Sequence, residues 1–469
     1  MSHYTNTFLA LPEFITTREA KTELRNKVAV TTLFGSMGTK RPSVCPVCES
    51  STLHLHQQHT IRLKHLAVGD ALIVIEVTYI RWLCHRCGTL TNQSIPFKQE
   101  GHFITNTYYR QLLGLLEEGN VSLQHVAQIM HSNKNLVRAI DTQRLRAKAG
   151  DMKPTHYSRF LGVDEFSLHK RHRYATIVID LETGESLFVE AGNSQVQLLH
   201  FFQFVGSDFM RHVQGIAMDM NAQYALAVRN RYPHIKIVYD PFHIIKNYND
   251  RVISELRKAE QRRLTDALEV AQKEKHSDLA IEITKEYKMF KHSRFVLLSN
   301  RNTLEAKDAA AKEHNKFLSE HFEKRGLSLP PGERKWATNN LQRLEQVLQV
   351  NDNLHTVYVL SEMLKLSFAC DNVGEFKTSL DKWLKIASHA NIPELNSFCK
   401  MVVKYYDGII NHAIFPISNG PLEGTNNLIK TIRRQAFGYR DQQYFFLKIW
   451  EATRKKPKHR CYKSHRFRA

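Results

Sequence analysis

The chain has 469 residues, and its 66 Lys and Arg against 46 Asp and Glu leave a formal net charge of +20. A hydrophobic share of 42% belongs to a globular protein rather than a disordered one, and no stretch approaches the ~18 consecutive apolar residues of a membrane span. With no basic segment and apolar run at the N-terminus, the chain reads as a soluble, intracellular, multidomain protein whose basic surface suits nucleic acid.

The first element with chemistry is a pair of cysteine knuckles, Cys45-Pro46-Val47-Cys48 and Cys84-His85-Arg86-Cys87, within 43 residues. A two-residue gap lets both thiolates of a knuckle reach one tetrahedral ion, and two knuckles complete a four-sulfur zinc site. The β-branched run Ala71 to Ile80 between them reads as a strand. Residues 1–100 are therefore expected to form a zinc ribbon with Cys45, Cys48, Cys84 and Cys87 as ligands. Cys370, Cys399 and Cys461 lie apart and read as ordinary thiols.

Within 101–150, Val121 to Met130 has apolar residues at helical spacing. A polar break at His131-Ser132-Asn133 follows, with Ser132 as the expected cap, and then a helix from Asn135 carrying Arg138, Arg144 and Arg146. The pattern predicts a helix-turn-helix, with these three arginines as candidate DNA contacts.

From residue 151 to 246 the order becomes strand, strand, strand, helix, strand, helix, strand: Phe160–Asp164, Tyr174–Ile179, Ser186–Val189, Gln195–Val205, Gly215–Asp219, Ala222–Arg229 and Ile235–Asp240. This is an α/β layer with a mixed sheet. Residues 247–415 show helical periods alone and form an all-helical block. Ser418-Asn419-Gly420-Pro421 is a helix-start signal within a segment, 416–450, that ends at a basic tail, 451–469. The tail, from Arg454 through Lys455, Lys456, Lys458, Arg460, Lys463, Arg466 and Arg468, is expected to contact phosphate.

Asp164 and Asp219 each close an apolar strand. On neighbouring strands they would be two like charges side by side, which a hard cation such as Mg²⁺ or Mn²⁺ would relieve. Each also fits an ordinary strand-end turn. In the helix after Pro421, Glu423, Asn427, Lys430 and Arg434 fall near one face. A carboxylate followed there by an amide and two cations suits a metal flanked by DNA phosphates. Arg433, Arg440 and Phe437-Gly438-Tyr439-Arg440 extend the basic surface.

These residues resemble the bacterial insertion-sequence transposases of the DDE class, specifically the ISL3 family. The resemblance is most specific at Ser418-Asn419-Gly420-Pro421-Leu422-Glu423-Gly424-Thr425-Asn426-Asn427, with Lys430, Arg433, Arg434 and Phe437 to Arg440 following. Knuckles, helix pair and the two aspartate strands occur in the family's order. The resemblance implies a ribonuclease-H-like core interrupted by a helical insertion, with Asp164, Asp219 and Glu423 as catalytic, metal-holding triad. It implies that Asp240 and His243 of Asp240-Pro241-Phe242-His243 support the core; Lys246, one turn on, is a candidate phosphate contact. The implied activity is binding, cutting and joining of the element's DNA ends with two metal ions, in a homodimer that pairs two ends, without a membrane. Two alternatives stay open: a non-catalytic zinc-containing DNA-binding regulator, and a metal-dependent nuclease or resolvase that cuts without joining.

Overall fold

The computed structural model describes residues 9–454 apart from 26–27, 40, 69–70, 119–120, 151, 170–172, 330–331, 371, 416 and 418–419. The basic tail beyond Arg454, Cys461, and Ser418 and Asn419 therefore lie outside the described residues. The chain divides into two compact units: residues 1–150 with 429–452, and 151–428 with 453–469.

In the first unit, β1 (Ile15–Arg25), β2 (Val28–Ser36), β3 (Leu53–Val68) and β4 (Ala71–Cys84) form a sheet in the order β1-β2-β4-β3, and the short β5 (Leu90–Asn92) pairs with β4. The expected strand at 71–80 is the central strand of this sheet, where Ile73, Ile75 and Val77 alternate onto one buried face and Ile80, Trp82 and Cys84 onto the other, against Cys45 and Leu53. Leu11, Phe14, Leu63, Ile73, Ile75, Val77 and Phe97 close its core.

Helices α1 (Asn106–Glu118), α2 (Leu123–Ile129) and α3 (Lys134–Ala149) pack around Tyr108, Leu112, Leu116, Val126, Val137 and Ile140. Those positions recur at three- and four-residue steps, so each helix buries one stripe. Between α2 and α3 the chain turns at His131 (φ 45°), and Asn133, not Ser132, caps α3: its side-chain oxygen accepts from the Asn135 N–H at 2.7 Å.

The second unit is built on β6 (Phe160–His169), β7 (Arg173–Asp180), β8 (Ser186–Ala191), β9 (Gly215–Met218) and β10 (Lys236–Tyr239), in the sheet order β10-β9-β6-β7-β8. The strands β10, β9 and β6 are mutually parallel, while β6, β7 and β8 form an antiparallel meander. Right-handed crossovers of helix are the usual way to join parallel neighbours. Here α4 (Gln195–Arg211) precedes β9 and α5 (Ala222–Arg231) precedes β10. The observed order is the expected one, with β6 and α4 each extending further than the pattern suggests.

After β10 come α6 (Pro241–Tyr248) and a run of helices from α7 (Ser254–Lys273) to α15 (Tyr406–Ile414), with no strand among the described residues. Trp383, Phe398 and Tyr248 join Phe201, Tyr224 and Val163 in one continuous apolar core, so the helical block and the sheet share an interior. Then α16 (Gly420–Gln435) and α17 (Gln442–Arg454) close the described chain. Arg454, expected at the start of the tail, is a folded residue: its Nη1 donates to the Ser186 carbonyl at 3.0 Å and its Nε lies 3.8 Å from Glu185.

One close approach fixes where α16 begins. A Cβ at Gly162 of β6 would lie 2.8 Å from Leu422 Cδ1 and 2.8 Å from Leu181 Cδ2. Only glycine lets the first turn of α16 seat against the strand two residues before Asp164. Gly162→Val is expected to cost about 1–3 kcal/mol through overpacking and to shift the first turn of α16. The check is a lower thermal midpoint; a wild-type midpoint would remove this role for Gly162.

Candidate active site

The register of the parallel strands places the acidic residues. Val163 pairs with Met218, and Met218 with Tyr239. The next residue on each strand is Asp164, Asp219 and Asp240, so three carboxyl groups stand in line at the C-terminal edge of the sheet, where α/β folds place their sites. Asp240 is nearly buried and caps α6, its Oδ1 accepting from the Phe242 N–H at 2.7 Å. One turn along α6, His243 Nδ1 lies 3.0 Å from Asp219 Oδ1. Lys246 is exposed on the same helix.

Asp164 accepts two bonds: from the Glu165 N–H at 2.7 Å to Oδ1, and from Asn426 Nδ2 at 2.6 Å to Oδ2. Burial, followed by the charge of Asp219, pushes its carboxyl up to about 6 despite those two donors. Burial pulls His243 down, but its bond to Asp219 and the charges of Asp219, Asp240 and Asp164 outweigh that and raise it above an ordinary histidine.

Glu423 sits in the first turn of α16 and is exposed. Leu422 packs on Gly162 and Asn426 holds Asp164, so the first turn faces β6, and Glu423 lies one turn before Asn426 on a neighbouring strip of the helix. Among the described residues the three carboxylates do not close into a tight cluster; only the four cysteines have ligand atoms all within 4.8 Å of one another. Asn427 is exposed, as are Lys430, Arg434 and Arg440, while Arg433 is half-buried.

The donor set fits a hard cation. Asp164 and Asp219 are oxygen donors held side by side by backbone register, and the Asn426 Oδ1 is buried without a hydrogen-bond partner. A buried, unsatisfied amide oxygen beside a repelling carboxylate pair costs free energy that an oxygen-seeking ion would recover. Asn426 was not among the residues expected at the site. The sequence signals for it are its place three residues after Glu423 and its position within the stretch where the family resemblance is most specific.

Residues 161–449 match the family model of the ISL3-type DDE transposases, a match that starts in β6 and ends in α17. The chain belongs to that family. The family implies a ribonuclease-H-like core, and the matched segment encloses Asp164, Asp219, Glu423 and the helical block between the last two. The transposase for insertion sequence element IS1001 of Bordetella parapertussis is 28% identical over 413 residues, covering 88% of this chain and 89% of that protein. The transposase for insertion sequence element IS1557 of Mycobacterium tuberculosis is 24% identical over 296 residues, covering 61% of this chain and 58% of that protein. This transposase is thus an enzyme acting on DNA, and no helix among its described residues is long and apolar enough to cross a membrane.

The four cysteines of the other unit also come together. Cys45 Sγ lies 3.7 Å from Cys87 Sγ, and Cys48 Sγ 3.5 Å from Cys84 Sγ. A tetrahedral ion with metal–sulfur bonds of about 2.3 Å sets sulfur–sulfur edges of ~3.8 Å, close to both distances. Each knuckle turns alike: Glu49 N–H donates to the Cys45 carbonyl at 2.9 Å and Gly88 N–H to the Cys84 carbonyl at 2.8 Å, with Glu49 (φ 55°) and Gly88 (φ 70°) left-handed.

Arg144 is corrected by the structure. It was expected to contact DNA, but it is 9% exposed, with Nη1 2.5 Å from Glu451 Oε1 and Nη2 2.6 Å from Asp141 Oδ1. Its guanidinium belongs to the interior of the first unit. Arg138 is half-exposed and Arg146 exposed on α3.

Proposed function

We propose that this transposase binds the terminal inverted repeats of its own element, cuts the ends and joins them to target DNA by metal-dependent phosphoryl transfer. What carries the reading is the register that sets Asp164 beside Asp219, with the helix of Glu423 anchored to Asp164 through Asn426. Asp164, Asp219 and Glu423 would hold two Mg²⁺ or Mn²⁺ ions. The chemistry such ions supply is activation of water or a 3′-hydroxyl and stabilisation of the leaving oxygen in an in-line displacement. Asn426 orients Asp164, and His243 orients Asp219. Lys246, Lys430, Arg433, Arg434 and Arg440 serve as phosphate contacts, and Asn427 supports the helix surface of Glu423.

In the first unit we read residues 1–100 as a zinc ribbon and 101–150 as a helix-turn-helix whose α3 meets DNA through Arg138 and Arg146. Pairing of two ends calls for a homodimer, acting on DNA in the cytoplasm. The basic tail at 455–469 would add affinity for any DNA.

Joining of a labelled element end into a target plasmid by the purified chain with Mg²⁺ or Mn²⁺ tests the whole reading. Cutting without joining would reassign the protein as a nuclease, and binding alone as a regulator. The ribbon carries its own prediction. The full chain is expected to hold about one zinc ion, and Cys84→Ser to lower zinc content and end binding together, because the ion's binding energy supports that module. Elemental analysis of both proteins decides it, and a zinc-free wild type would refute the assignment.

A further inference from the structure

Helix α3 presents an open groove to which Asn135, Arg138, Thr142, Gln143 and Arg146 contribute side chains, and Asp441, just before α17, lines its edge. These are the residue types that meet base edges and phosphates. Asp441 does two things with its two oxygens. Oδ1 accepts from the Tyr444 N–H at 3.1 Å and so caps α17, while Oδ2 takes Arg138 Nη2 at 2.5 Å. The Arg138 guanidinium also lies 5.9 Å from the Tyr444 ring centroid, and the Tyr444 hydroxyl is tied to Asp141 of α3. Arg138 is thereby fixed by two groups from a segment roughly 300 residues away in sequence, though its side chain stays 43% exposed.

We propose that Asp441 is a specificity-determining positioning residue, which aims Arg138 at a base edge in the groove of the bound element end. The proposal rests on the reading that α3 contacts DNA. An arginine on a free helix surface can swing to any phosphate, which gives affinity without sequence preference. Held by Asp441 through Nη2 alone, it keeps its other N–H groups for acceptors in one direction and loses less freedom on binding. The carboxylate beside it also repels backbone phosphate wherever the duplex sits out of register, a repulsive element of the kind that separates right from wrong partners.

Asp441→Asn separates this role from capping, since asparagine caps a helix as well as aspartate does but lacks the charge that pins Arg138. Affinities of the full-length protein are measured for a duplex carrying its terminal repeat and for a shuffled duplex, alongside the melting temperature. The expected result is an unchanged melting temperature and a fall of about tenfold in the ratio of the two affinities, within what one good base contact contributes. Affinity for the shuffled duplex should hold or rise. An unchanged ratio, or a parallel loss of both affinities, overturns the proposal. Arg138→Ala tells the two readings apart. If it too leaves affinities and ratio unchanged, α3 is not the DNA-reading helix; if it lowers the ratio while Asp441→Asn does not, only the aiming role fails.

Discussion

Asp164→Asn is expected to abolish cutting and joining of element ends, by roughly a thousandfold or more, as when one member of a cooperating catalytic set is removed. The change keeps shape and one acceptor oxygen; turned toward the Asn426 amide it preserves the hold on α16 and gives up the bond from the Glu165 N–H. It removes the charge that a hard cation needs. It also removes a carboxylate that burial and Asp219 disfavour, the reason its carboxyl is raised to about 6. The variant should therefore melt at or above the wild-type temperature, the pattern of a site that trades stability for function. Asp219→Asn should inactivate the protein as fully, and the double variant should be no worse than either single one. Plasmid nicking beside thermal melting checks this; an inactive variant that is also grossly destabilised would make the loss uninformative about chemistry and count against the account.

Arg144→Met should be the most destabilising single change in the first unit, costing about 3–5 kcal/mol, the range for removing one partner of a buried ion pair. Asp141 and Glu451 are 0% and 4% exposed at the side chain, and Lys448, at 3.4 and 3.3 Å from them, balances only part of their charge. Burial opposes the guanidinium charge, but the bonds to Glu451 and Asp141 outweigh it and raise its pKa. Left without Arg144, the buried Asp141 and Glu451 lose their closest cation and keep Lys448 and, on Glu451, the half-exposed Lys148 at 3.7 Å. Replacing all three, as Arg144→Met with Asp141→Leu and Glu451→Met, should recover much of the loss, since an apolar cluster of similar volume is often as stable as the ion pairs it replaces. Denaturant melts of the full chain with the two sets of substitutions provide the comparison. Equal destabilisation by the single and triple variants would contradict it.

Local patterns and long-range packing differed in how far they could be read from the chain. The strand-ending aspartates were legible because an apolar run followed by Asp announces both a buried parallel strand and its end, as at Val163 and Met218. The helix that carries Glu423 was legible from its Gly420-Pro421 start. Strand β1 was not, because ten of its eleven residues are exposed and no period-two alternation marks it. Asn426 escaped because four-residue spacing from Glu423 points to Asn427; the packing of Leu422 on Gly162 rotates the helix so that its neighbour reaches Asp164 instead. Arg144 looked like a surface cation because Asp141, one turn before it, fits an exposed helix pair as well, and the acid that completes the buried cluster, Glu451, lies 307 residues away. Helical spacing sees one turn, and a partner from the other end of the chain is outside its reach.

Glu423 is where the triad is most exposed to test, since it is a surface residue that the register of the sheet does not place. Gln preserves its size and helix propensity, so binding should be untouched. The decisive measurement is joining of a labelled element end into plasmid by Glu423→Gln, beside the gel-shift affinity of the same preparation for that end. The expected result is wild-type affinity with joining lost in Mg²⁺. Wild-type joining by Glu423→Gln would contradict it and leave Asp164 and Asp219 in need of a different third partner.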